Sequence, residues 1–147
     1  MVSVLIIFGS TAGNTELVVD KVASVLAEKK HKVTVERAEK VDPKKIKKFK
    51  VCVFAGSTYG QGLLQEDMKA FFSKYDFNLK KKKCAAIGLG DNKYNVEYVM
   101  EAAKIIEEKI KERNGKLVIK TLRINKTPVP YLNENIEEWA KNLSKNI

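Results

Sequence analysis

Three runs of this chain are apolar without interruption: Val4-Leu5-Ile6-Ile7-Phe8, Val51-Cys52-Val53-Phe54-Ala55 and Cys84-Ala85-Ala86-Ile87. A strand with one wet face alternates, so runs of this kind predict strands covered on both faces. Two further runs, Val33-Thr34-Val35-Glu36 and Ile119-Lys120-Thr121-Leu122-Arg123-Ile124, do alternate. The predicted strands run from about Val2 to Phe8, Lys32 to Arg37, Lys50 to Gly56, Cys84 to Gly88 and Lys116 to Ile124, with helical patterns between them. Five such repeats predict an α/β fold: a doubly wound parallel sheet with helices on both faces. The order 2-1-3-4-5 places strands one, three and four inside and leaves two and five at the edges.

The helical stripes agree. Val18, Val22, Val25 and Leu26 recur on one face of the first helix, Met68, Phe71, Phe72 and Tyr75 on a shorter one, and Val96, Val99, Met100, Ala103, Ile106 and Ile110 on the next. Ile136, Trp139, Ala140 and Leu143 give the last helix its apolar face, and Asp42-Pro43 opens a brief helix with Pro at its favoured first position. At 147 residues the expectation is one domain, 1–147, with no internal repeat or linker. The N-terminus shows no basic leader, and no apolar run approaches the ~18 residues of a membrane span, so a soluble cytoplasmic protein is expected. Cys52 and Cys84 read as buried free thiols, and His31, between lysines, as a solvated turn residue without a partner. No metal site is expected.

In an open α/β sheet, ligands bind beyond the carboxyl ends of the strands where the order reverses, here between strands one and three. The loops available there are Gly9 to Thr15, Ser57 to Leu64 and Leu89 to Val96. The first, Gly9-Ser10-Thr11-Ala12-Gly13-Asn14-Thr15-Glu16, contains no Lys or Arg. Hydroxyls on Ser10, Thr11 and Thr15 can donate to phosphate oxygens, Gly9 and Gly13 allow tight turns, and the following helix adds unpaired N–H groups and its dipole. The competing reading is an ordinary turn in which Thr or Asn caps the helix. The second loop carries Tyr59 and the third Tyr94, positioned to clamp a flat ring from opposite sides. Together the three loops describe a site for a phosphorylated planar heterocycle.

With these residues in view the chain resembles the flavodoxin family, in its short-chain form, over almost its full length. The residues that carry the resemblance are Ile6 to Thr15, Ser57-Thr58-Tyr59-Gly60, Gly88-Leu89-Gly90-Asp91-Asn92-Lys93-Tyr94 and Ile136-Glu137-Glu138-Trp139-Ala140. The resemblance implies a flavodoxin-like three-layer sandwich and non-covalent FMN. It implies that Ser10, Thr11, Ala12, Gly13, Asn14 and Thr15 hold the phosphate with help from Ser57, and that the isoalloxazine lies between Tyr59 and Tyr94, with Thr58 beside them. In the family the peptide after the first aromatic turns to meet the flavin N5, which falls on Gly60-Gln61 here. Backbone N–H groups around Gly90 and Asp91 then face the pyrimidine edge. The function implied is that of a low-potential, one-electron carrier between a reductase donor and an acceptor enzyme. It is not an enzyme with its own substrate, and it acts as a monomer without nucleic acid or membrane. Two departures stand out. Ala12 replaces the Thr or Ser of many relatives, which implies weaker FMN binding, and Asn95 to Tyr98 lengthens the third loop.

The net charge of +10 is the third departure, since flavodoxins are typically acidic. Sorting charges by predicted end of the sheet resolves it. The loops at the candidate site hold eight carboxylates against Arg37, Lys40, Lys93 and Lys126, a net −4. Segments 28–32, 43–50, 74–83 and 111–116 hold sixteen Lys and Arg against Glu28, Asp76 and Glu112, a net +13. Redox partners are expected to dock on the mildly acidic end, leaving Lys44 to Lys50 and Lys80 to Lys83 solvated. No aromatics interleave with these lysines as a nucleic-acid surface requires.

Other phosphate chemistries fit less well. Nucleotide hydrolysis needs G-x-x-x-x-G-K, and Gly9 to Thr15 offers no Lys. A dinucleotide fold needs G-x-G-x-x-G after the first strand, whereas Gly88-Leu89-Gly90 follows the fourth. A receiver domain needs carboxylates where Gly9-Ser10 stands. The alternatives left are a flavodoxin-like activator of ribonucleotide reductase, a small FMN-dependent reductase, and a flavin-free binding module on the same scaffold.

Overall fold

The computed structural model describes residues 1–60, 62–90 and 101–147. In chain order the elements are β1 (Ser3–Phe8), α1 (Asn14–Glu28), β2 (Lys32–Arg37), a 3₁₀ turn (Pro43–Lys48), β3 (Val51–Tyr59), β4 (Leu63–Leu64) and α2 (Glu66–Lys74). β5 (Lys83–Gly90), α3 (Glu101–Glu112), β6 (Lys116–Leu117), β7 (Leu122–Asn125), a 3₁₀ turn (Val129–Tyr131), a π turn (Leu132–Ile136) and α4 (Glu137–Asn146) follow. The strands lie in the order β2-β1-β3-β5, with β6 and β7 both on the outer side of β5. Every pairing is parallel except that of β4, which folds back antiparallel on the end of β3.

The continuous apolar runs are explained by the register. Val4, Ile6 and Phe8 of β1 and Val51, Val53 and Ala55 of β3 turn to one face, where α1 and α4 cover them with Val18, Val22, Leu26, Trp139 and Leu143. Leu5, Ile7, Cys52, Phe54, Cys84 and Ala86 turn to the other, beneath Met68, Phe71 and Phe72 of α2 and Ile106 and Ile110 of α3. Each fully buried Ile or Leu is worth roughly 1.5–3 kcal/mol, so the two cores pin strand order and register together. Of the stripe expected on the helix before β6, Ala103, Ile106 and Ile110 are buried. Val96, Val99 and Met100 lie outside the described residues.

Three expectations change. The fifth strand, expected as one run to Ile124, is broken into β6 and β7. Between them the Lys120 carbonyl accepts from the Trp139 indole N–H at 2.7 Å, and the Thr121 hydroxyl pairs with Glu107. The brief helix at Asp42-Pro43 is a 3₁₀ turn capped by the Asp42 carboxylate on the Lys44 N–H. His31 is not a partnerless solvated residue: its Nδ1 accepts from the Val2 N–H at 3.2 Å, and its Nε2 pairs with Ser144 Oγ at 2.9 Å. Cys52 and Cys84 are free and buried as expected, though they are register partners on β3 and β5. Burial pushes their thiols up to about 11 and about 12, which leaves them unreactive.

Candidate functional site

Parallel strands bring the ends of β1, β3 and β5 to one side of the sheet, and the site is built where they finish. Phe8 ends β1 in the core, and the Gly9 N–H extends the ladder to the Ala55 carbonyl at 3.2 Å. The chain then turns through Ser10 to Gly13 into α1. Ser10 is buried, and its Oγ accepts from the Gly13 N–H at 3.0 Å, which closes the loop on itself. The first bond of α1 runs from the Leu17 N–H to the Gly13 carbonyl at 3.1 Å. The N–H groups of Asn14, Thr15 and Glu16 therefore have no protein acceptor among the described residues, and no side chain caps the helix there. This is not the ordinary capped turn that the sequence also allowed. Three outward-facing donors, the helix dipole, an exposed Thr11 and a buried Thr15 gather around one loop, an arrangement suited to an anion.

No cation belongs to this loop, but one reaches it. Arg37 ends β2 in register with Phe8, stacks over the Phe8 ring at 5.1 Å and donates to the Ser10 carbonyl at 2.7 Å. Glu16 and Glu39 hold the same guanidinium at 3.2 and 2.9 Å. Partial burial raises the Glu39 carboxyl, yet the Arg37 hydrogen bond and charge outweigh it and hold it below its ordinary value. Arg37 thus braces the loop through its backbone, its charge balanced by carboxylates. The sequence signal was its place at the end of the strand predicted beside strand one.

A second brace was also missed. Gln65, fully buried before α2, accepts from the Met68 N–H at 3.1 Å through Oε1. Its Nε2 donates to Thr11 Oγ1 at 3.2 Å and to Asp67 Oδ2 at 2.9 Å. A Cβ on Gly9 would come within 2.0 Å of Gln65 Oε1, so this approach is open only to glycine.

The other two segments are more regular than expected. Ser57, Thr58 and Tyr59 are the last residues of β3, not a loop, because the chain turns back with Tyr59 opposite Leu63 and Thr58 opposite Leu64. Gly60, at φ 52°, makes that turn in a conformation L side chains rarely adopt. Ser57 is half-buried beside Leu89, and the Thr58 hydroxyl accepts from the Ala102 N–H at 3.0 Å, which ties β3 to α3. Leu89 and Gly90 likewise belong to a strand, and the Gly90 carbonyl accepts from the Lys126 N–H at 2.6 Å. The structure thus gathers Ser10 to Thr15, Ser57 to Gly60 and Gly90 at one end. Gln61, Asp91 and Tyr94 lie outside the described residues.

Leu17, Tyr59 and Leu63 are exposed around this end, at 43%, 41% and 55%, an apolar fringe in a mildly acidic setting. A cleft of about 400 Å³ between β7 and α4, lined by Leu122, Ile124, Tyr131 and Trp139 among others, contains none of the candidate residues.

Comparison with known proteins follows the same lines. A family profile described as Flavodoxin matches residues 6–139. A flavodoxin of Nitratidesulfovibrio vulgaris is 30% identical over 144 residues, covering 95% of each chain. The crystal structure of oxidised flavodoxin 1 from Bacillus cereus superposes with a TM-score of 0.89 at 26% identity and covers 99% of both chains. A Fusobacterium nucleatum flavodoxin bound to flavin mononucleotide shares the fold, with a TM-score of 0.81 at 14% identity over 99% of this chain and 98% of its own.

Proposed function

The chain belongs to the flavodoxin family, and from that membership we propose how its residues divide the work of holding FMN and meeting redox partners. It is an FMN-based electron carrier, not an enzyme with a substrate of its own. Bound FMN supplies the one-electron chemistry. Ser10, Thr11, Asn14 and Thr15 hold the phosphate through hydroxyls and backbone N–H groups, with Gly13 shaping the turn through its bond to Ser10, Ala12 contributing backbone alone and Ser57 assisting. Tyr59 and Tyr94 flank the ring, Thr58 secures the strand that carries Tyr59, and Gly60-Gln61 and Gly90-Asp91 line its polar edge.

The observation that carries this reading is the set of three unpaired N–H groups at the start of α1, beside the Ser10 and Thr11 hydroxyls. A dianion met there gains several charge-assisted hydrogen bonds without a cation in direct contact. The aromatic walls and limited water disfavour added negative charge on the ring, which keeps the carrier at low potential. Each carboxylate ~10 Å from the ring adds only ~0.4 kcal/mol in water, so stacking and burial dominate.

The exposed Leu17, Tyr59 and Leu63, near Glu16, Glu66 and Asp67, support docking of donor and acceptor proteins at this end. No helix among the described residues is long and apolar enough to cross a membrane, which is compatible with a cytoplasmic carrier. The chain works as a monomer and as one domain over 1–147, without nucleic acid or membrane contact. Reconstitution tests the reading. Apoprotein mixed with FMN should turn yellow at one flavin per chain and be reduced in two separate one-electron steps. Failure to take up FMN, or direct oxidation of NAD(P)H, would contradict it.

A further inference from the structure

Resting on the FMN reading above, we propose that Gln65 is a positioning residue of the phosphate site, aiming the Thr11 hydroxyl proton at the phosphate. The assignment starts from the carboxamide's orientation. Met68 N–H can only donate, so the atom 3.1 Å from it must be the oxygen, and the NH₂ group must face the loop. Gln65 is fully buried, where an unmade hydrogen bond is costly, and its two N–H protons go to Thr11 Oγ1 and Asp67 Oδ2. Thr11 therefore accepts from Gln65. A hydroxyl has one proton, and one already used as an acceptor directs that proton away from its donor. Thr11 is exposed and makes no other hydrogen bond among the described residues, which leaves its proton free for an acceptor in front of the loop. The N–H groups of Asn14, Thr15 and Glu16, which have no acceptor among the described residues, open the helix that follows the same loop.

The contact spans 54 residues of sequence and locks the loop to the first turn of α2. The fit is mutual, since Gly9 leaves room for the carboxamide that any side chain there would displace. Gln65 touches no flavin atom in this scheme. It sets the polarity of a group that does.

The test compares FMN with riboflavin, which lacks the phosphate. Gln65→Met keeps the length and removes both the donor to Thr11 and the acceptor of the Met68 N–H, and should weaken FMN by about tenfold or more while riboflavin, which shares any loss at α2, changes by less than about twofold. In a Thr11→Val background the same change should cost FMN little, because the hydroxyl it aims is gone. Equal losses for both flavins, or an undiminished loss without the Thr11 hydroxyl, would assign Gln65 a merely structural role and overturn the proposal. If Gln65→Met does not fold, the Gln65 NH₂ resonances of the otherwise unaltered protein report the contact. They should move in Thr11→Val and on addition of inorganic phosphate to the apoprotein, and unmoved resonances refute the role. Wild-type protein that binds neither FMN nor phosphate would defeat the FMN reading itself, whereas normal FMN binding by Gln65→Met defeats only this inference.

Discussion

Where Phe8, Tyr59 and Gly90 finish their strands, the N–H groups at the start of α1 stand unpaired among the described residues, Gly13, Gly60 and Gly62 are left-handed, as is Lys126, and Arg37 is balanced by Glu16 and Glu39. At the opposite end Lys47, Lys48, Lys80, Lys81 and Lys83 are exposed and form no ion pair among the described residues. There the left-handed positions are Lys30, Lys81 and Asn114. At Gly13 and Gly60 the left-handed backbone borders open space, with nothing within 4 Å of where a Cβ would stand. The basic end has two lysines and an asparagine at left-handed positions where glycine would be less strained. Net charge alone points to the end opposite the candidate site, because the excess of lysines is concentrated there.

Arg113 and Arg37 give the sharpest contrast. At the basic end Arg113 turns inward, stacking on Phe72 at 5.2 Å and Phe77 at 4.6 Å and donating to the Phe72 carbonyl at 2.7 Å. Burial, only partly offset by Glu112 and Asp76, lowers its pKa. Arg113→Ala should cost roughly 2–4 kcal/mol of stability and leave FMN affinity of the folded protein unchanged, measured by denaturant unfolding and flavin titration. Arg37→Met should do the reverse in emphasis. Loss of its bond to the Ser10 carbonyl, with Glu16 and Glu39 left uncompensated, should weaken FMN binding by about 1.5–3 kcal/mol. If neutralising Lys80 to Lys83 weakened FMN as much, the separation of the two ends would be broken.

These contrasts also mark what could be read from sequence. Strands one, three and four were legible because both their faces are buried, so every residue is apolar. Ser57 to Tyr59 were not legible as strand, since their pairing depends on Leu63 and Leu64 returning through the turn at Gly60. The break before β7 depends on the Trp139 indole, which approaches from α4. Arg37 and Gln65 reach the loop before α1 from 27 and 54 residues away, and His31 meets Ser144 across 113. Periodicity reports which face is buried, and says nothing about which polar atom meets which.

His31 offers a smaller test within the basic end. Partial burial and then the charged N-terminus lower its pKa from 6.5, and its Nδ1 must stay unprotonated to accept from Val2. The neutral form is therefore the folded one. Its contribution is complete above pH 6.5 and is lost as pH falls through the lower folded value, amounting to under about 1 kcal/mol at this half-buried position. Unfolding free energies at several pH values should show this slope in the wild type and not in His31→Gln; equal slopes would refute the assignment. Smallest of all, Lys30→Gly and Lys81→Gly should leave FMN affinity untouched and raise stability by a few tenths to about 1 kcal/mol. A loss of stability would show that the lysine stems contribute packing beyond their charge.

The central claim is that uncharged donors at the start of α1 hold the FMN phosphate. Calorimetric titration of the apoprotein with FMN and with riboflavin tests it most directly. Several charge-assisted hydrogen bonds predict that FMN binds at least about a hundredfold more tightly. Equal affinities for the two flavins would contradict it.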